Sequence, residues 1–118
     1  MPSSVPVIND RVRRPGGCQA AFVEPDLSSV DATALAALVK ALADPTRLRI
    51  VDAVRKASPE AVCQCELLPL FAISQAALAK HLKVLTDSGL LGVERRGLWA
   101  YYFLAGESRW GELRRWLG

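Results

Sequence analysis

Cys63 and Cys65 stand one residue apart, and Cys18 is the third cysteine of the chain. Thiolates ligate soft ions and are also the groups that oxidants attack. The pair lies just upstream of a segment bearing Lys80 and Lys83, and of a second basic segment at Arg95 and Arg96. A thiophilic-ion site set against a DNA-binding element would turn the arrival of an ion into a change in DNA affinity. A plainer possibility is that cysteine acts as a small buried hydrophobe and two fall together by chance. A cysteine-dependent enzyme is a third reading, with the single histidine, His81, as base. It lacks a residue to orient the base and any glycine-rich or substrate-positioning motif, so no enzymatic activity is expected.

The elements that must position these residues come from a chain of 118 residues, room for one compact domain. It is 51% hydrophobic and 23% charged, which favours a globular fold over disorder. A net charge of +3 permits a nucleic-acid partner without requiring one. No run approaches the roughly 20 apolar residues of a membrane span, and no apolar run follows the N-terminal arginines as a secretory signal would demand. Three cysteines fit reduced thiols in a cytoplasm better than a disulfide framework.

Residues 1–28 hold Pro2, Pro6, Pro15, Pro25 and the pair Gly16 and Gly17, and read as a flexible arm carrying Cys18. Residues 29–118 form the expected domain. Ser28 to Asp31 offer caps for a first helix with Leu35, Leu38, Val39 and Leu42 inward. Asp44 before Pro45 restarts the chain as a second helix with Leu48, Val51 and Val54 on one face. A short helix is expected from about Val62 to Leu70, containing both paired cysteines, and Ser74 caps a longer one running to Asp87. Its stripe is Leu78, Leu82 and Leu85, and Gly89 ends it. A hairpin follows, Val93 to Arg95 and Leu98 to Leu104, with its turn at Arg96 and Gly97. Trp110, Leu113, Trp116 and Leu117 mark a last helix. The order predicts a mainly α winged helix-turn-helix with a β-hairpin wing.

Opposite the leucine stripe lie Gln75, Ala76, Ala79, Lys80, Lys83 and Thr86, small residues that allow close approach among long ones that reach. Gln75 suits an adenine edge, the lysines guanine or phosphate, and the free amides near Ser74 a phosphate. Arg95 and Arg96 at the wing tip suit backbone phosphates or the minor groove. His81 flanks the stripe and reads as a partly buried structural residue. A solvated polar face would look much the same on one helix alone; the basic hairpin after it makes DNA the better reading.

Four segments carry a resemblance. Leu42-Ala43-Asp44-Pro45-Thr46-Arg47-Leu48-Arg49-Ile50 resembles the second-helix signature of the ArsR/SmtB family of metal-responsive repressors. Ser74-Gln75 with Lys80-His81-Leu82-Lys83-Val84-Leu85 is similar to the family's recognition helix, and Ser88-Gly89-Leu90-Leu91 to the turn after it. Arg95-Arg96-Gly97-Leu98-Trp99-Ala100-Tyr101-Tyr102 resembles its wing. The resemblance implies a homodimer, paired through its first and last helices, that represses transcription from double-stranded operator DNA until an effector binds. It also implies that Val62-Cys63-Gln64-Cys65-Glu66-Leu67 is the effector segment, similar to the one by which many members bind arsenite, antimonite, cadmium or lead.

Three thiolates suit a pyramidal three-coordinate ion, whereas structural zinc wants a fourth ligand. Where one family variant has a further cysteine, this chain has Leu68, and its arm supplies only Cys18. Cys18, Cys63 and Cys65 therefore favour As(III) or Sb(III) as inducer, with Pb(II), Cd(II) or thiol oxidation as alternatives. Glu107 and Glu112 lie in the last helix without histidine, so the family's C-terminal zinc site is not expected. Residues two apart on an α-helix do not face each other. Ligation by Cys63 and Cys65 is thus expected to unwind the start of their helix and shift the reading helix behind it.

Overall fold

The computed structural model describes residues 23–118; Cys18 and most of the expected arm lie outside the described residues. Helix α1 spans Ser29–Leu42, with the Ser28 hydroxyl accepting from the Asp31 amide at 3.0 Å. Helix α2 spans Pro45–Ala57: Asp44 caps it through the Arg47 amide at 3.0 Å, and Pro45 sits where no donor is needed. Helix α3 is a single turn, Gln64–Leu67, continued by a 3-10 turn over Leu68–Leu70. Helix α4 spans Gln75–Asp87, capped by Ser74, and α5 spans Glu107–Leu117.

Strands β2 (Leu91–Arg96) and β3 (Trp99–Leu104) form the wing, joined by Gly97 and Leu98. Gly97 has φ +64°, the left-handed conformation that so tight a hairpin needs. Gly89 at φ +84° plays the matching role after α4. There the Leu90 amide reaches back to the Leu85 carbonyl and the Gly89 amide to that of Thr86, the paired closure of a helix C-terminus. The architecture is mainly helical with an antiparallel wing, as the residue pattern predicts.

One element differs from expectation. Val62–Cys63 is a strand, β1, and it pairs antiparallel with β3, so the wing is a three-stranded sheet of order β1-β3-β2. Cys63 is therefore not helical: at φ −70° and ψ 144° it is extended and caps α3.

Leu78, Leu82 and Leu85 of α4 are fully enclosed by Leu38 and Ile50 from α1 and α2, Leu67, and Leu90 and Leu91. Two apolar stripes are redrawn. Val39 is 44% exposed and Leu48 52%, while Ala41 and Ile50 take the inward places. In each case the inward residue stands two positions beyond the expected one, on the opposite flank of a stripe whose centre, Leu38 or Val51, is unchanged. Helices α1 and α5 lie against each other and leave Val30, Trp116 and Leu117 largely bare. A cavity of about 330 Å³ opens between them, lined by Leu27, Leu35, Trp116 and the charged Asp31, Glu112 and Arg115.

Candidate functional site

The two cysteines converge because one is in a strand and the other in a helix. Cys63 and Cys65 are joined as a disulfide across a single intervening residue, with Cα atoms 5.1 Å apart. The extended backbone at Cys63 turns its sulfur back over the first turn of α3, where it accepts from the Cys65 amide at 3.2 Å. Glu66 completes the arrangement by accepting from the Cys63 amide at 2.8 Å. That is a reciprocal capping box with sulfur in the place of a hydroxyl. Cys63 is buried but stands apart from the contiguous apolar core, whereas Cys65 is exposed.

The expectation that Cys63 and Cys65 point apart on one helix is corrected by this geometry. The capping position lies outside the helical period, so the two sulfurs meet with α3 fully formed. Among the described residues no cluster of three or more His, Cys, Asp or Glu side chains could hold an ion. Once reduced, the pair would offer a soft ion two sulfurs, and the described residues add no third ligand.

On α4, Gln75, Ala76, Ala79, Lys80 and Lys83 are all exposed along one face, and Ser74 spends its hydroxyl on the Ala77 amide at 3.1 Å. Thr86 is half-buried and returns its hydroxyl to the Lys83 carbonyl. Lys83 pairs with Asp87 at 3.2 Å, but with both side chains mostly in water that pair contributes about 0–1 kcal/mol and leaves the ammonium available. His81 is half-buried at the edge of the leucine stripe and meets the Arg47 guanidinium, a structural position as expected.

Arg95 and Arg96 are neighbours on β2 and so project from opposite faces of the wing. Arg96 is docked: its guanidinium stands 4.4 Å from the centre of the Tyr101 ring and 2.9 Å from Glu94. Arg95 has no such seat described. The residue pattern missed Tyr101, Glu66 and Arg47 as organising groups. Glu66 was open to detection, because a carboxylate three residues after a cap is the capping-box spacing.

A family model described as a helix-turn-helix domain matches residues 42–94. The arsenical resistance operon repressor of Bacillus subtilis (strain 168) is 40% identical over 68 residues, 58% of this chain and 63% of that protein. The chain therefore spans less than two thirds of that curated relative. Among solved structures, the ArsR-like transcriptional regulator from Rhodococcus sp. RHA1 superposes with a TM-score of 0.66 at 26% identity, covering 77% of this chain and 80% of that one. A possible transcriptional regulator for arsenical resistance superposes with a TM-score of 0.59 at 30% identity, covering 69% of this chain and 79% of that one. With the fold, the helix-turn-helix match and the wing in agreement, the chain belongs to the ArsR/SmtB family of winged helix-turn-helix regulators.

Proposed function

We propose that this chain is a metalloid-responsive transcriptional repressor, binding operator DNA as a homodimer and releasing it when trivalent arsenic or antimony is bound by thiolates. The observation that carries the reading is the convergence of Cys63 and Cys65 at the junction of the wing sheet and the first helix of the helix-turn-helix. Arsenous acid would exchange its three hydroxyls for three cysteine sulfurs, each hydroxyl leaving as water with the proton of the thiol that replaces it. Cys63 and Cys65 supply two sulfurs, and Cys18 is the remaining candidate in the sequence. The similarity to arsenical resistance repressors supports the same inducer class.

In this reading the exposed face of α4 enters the major groove. Ser74 fixes the helix start, Gln75 reaches a base edge, Ala76 and Ala79 allow close approach, and Lys80, Lys83, Arg95 and Arg96 meet phosphates. The bare Val30, Trp116 and Leu117 on α1 and α5 are the apolar load that dimerisation would cover. No described helix is long and apolar enough to cross a membrane.

A second reading keeps the DNA-binding module and replaces the ion with an oxidant. It is favoured by the Cys63–Cys65 disulfide itself. Closing that bond passes two electrons and two protons to the oxidant.

Titrating a labelled operator complex with arsenite, antimonite, Pb(II) and peroxide, for the wild type and for Cys18→Ser, Cys63→Ser and Cys65→Ser, tests both. Release by arsenite that all three substitutions abolish is the expected result. A response surviving in Cys18→Ser removes the arm from the site. Release by peroxide alone replaces the metalloid reading with the redox one, and persistent occupancy at saturating arsenite and peroxide sinks both.

A further inference from the structure

The thiol pair is stitched to the wing. Cys63 lies directly opposite Tyr101 in the β1–β3 pairing, and Tyr101 lies directly opposite Glu94 in the β2–β3 pairing. Directly opposed residues share a face of the sheet, and two steps along β2 from Glu94 the same face carries Arg96. The Cys63 amide is engaged by Glu66 rather than by β3. Its pairing with Tyr101 is thus the kind without mutual hydrogen bonds, in which opposed side chains approach most closely. Tyr101 in turn packs beneath the Arg96 guanidinium at 4.4 Å, and Glu94 holds that guanidinium at 2.9 Å. One face of the sheet therefore runs unbroken from a sulfur to a wing arginine.

We infer that Tyr101 is a positioning residue through which the state of the Cys63–Cys65 pair sets the placement of Arg96 on the wing, so that the sensor acts on DNA binding through the wing sheet. The inference rests on the regulatory reading above and names its route. A guest on the two sulfurs must share the outer face of the sheet with the Tyr101 ring. Tyr101 cannot shift as a whole, because its strand is hydrogen-bonded along the full length of β2. The ring is the part that yields, and Arg96 loses the seat that holds it. The alternative route, through α3 and the Leu68–Leu70 turn to α4, starts from a helix that the convergent sulfurs leave intact.

The test uses the full chain, reduced, with arginine side chains labelled with ¹⁵N and the Arg96 Nε–H signal assigned by its loss in Arg96→Lys. Arsenite binding is followed independently by sulfur-to-arsenic charge-transfer absorbance. In the wild type, arsenite should displace the Arg96 signal and lower operator affinity by about tenfold or more, the ordinary size of an allosteric coupling. Tyr101→Phe keeps the ring and should behave as wild type, since the cation sits on the ring face and not on the hydroxyl. Tyr101→Leu should bind arsenite with the same absorbance yet lose most of the drop in operator affinity. An undisplaced Arg96 signal in the wild type at saturating absorbance overturns the inference, as does a full drop in affinity in Tyr101→Leu. If arsenite produces no absorbance, the metalloid reading fails separately, and diamide, which takes up two electrons and two protons from the thiol pair, replaces it. An Arg96 signal that oxidation displaces in the wild type but not in Tyr101→Leu upholds the coupling, and a motionless one refutes it.

Discussion

Arg47 on α2 ties itself to His81 on α4, its terminal nitrogen 3.3 Å from His81 Nδ1, while its Nε donates to the Ala41 carbonyl at 2.6 Å. A guanidinium can only donate, so a hydrogen bond here uses the lone pair at Nδ1. Three helices therefore meet at one side chain, and the tie holds α4 by the side away from its exposed lysines. Arg47→Ala should cost about 1–3 kcal/mol, the range for leaving part-buried acceptors unmet. Urea unfolding checks it, and a change within a few tenths of a kcal/mol would show the tie to be idle.

Asp44 gives the fold an acid-sensitive element. The Arg47 amide, donating to its carboxylate, holds the Asp44 pKa below the usual carboxylate value; desolvation opposes this in part, and the Arg47 charge adds a smaller lowering. A folded pKa below the unfolded one means stabilisation that is whole above the ordinary carboxylate range and is lost as pH falls through the folded value. Asp44→Asn keeps an acceptor for the cap but cannot titrate. Between about pH 5 and pH 2 it should lose less stability than the wild type, as read from denaturant midpoints. Parallel losses would remove Asp44 from the acid response.

Because Cys63 already stands outside α3, loading the thiols requires no helix to melt. Far-ultraviolet circular dichroism before and after saturating arsenite should be superimposable in the helical bands. A loss of even one turn of signal would restore the unwinding mechanism that the residue spacing alone suggested.

Lys80 and Arg95 test the DNA-facing assignment in a way that separates charge from base reading. If each meets one phosphate, Lys80→Ala or Arg95→Ala should reduce the slope of log affinity against log salt by about 0.9 per contact, on any sequence. Gln75→Ala should leave that slope alone and relax preference at one base pair. A Lys80→Ala slope equal to wild type would place that lysine on a merely solvated face.

The caps and the α4 stripe were legible because each depends on a few neighbouring residues: Ser28, Asp44 and Ser74 cap as their types require, and Leu78, Leu82 and Leu85 are buried at helical spacing. Gly89 and Gly97 mark the turns for the same local reason. What could not be read was β1. Two residues make no periodic signal, and Val62–Cys63 is a strand only because Tyr101 and Tyr102, about forty positions on, offer it an edge. Missing that pairing hid both the meeting of the sulfurs and the place of Tyr101 beside them. On α1 and α2 one flank of the stripe was misread, with Ala41 and Ile50 inward in place of Val39 and Leu48, for a related reason: which flank faces in is decided by the partner helix.

The unequal burial of the two sulfurs imposes a sequence of events on any reagent. Cys65 lies open to water while Cys63 is 3% exposed, so the outer sulfur is met first and the inner one receives the guest by transfer. Reagents small enough to be handed inward can bridge the pair; a bulky monofunctional alkylator stalls on Cys65 and caps the entrance. Selectivity at this site would then begin as a matter of size and of having a second bond to give, before any preference among elements is expressed.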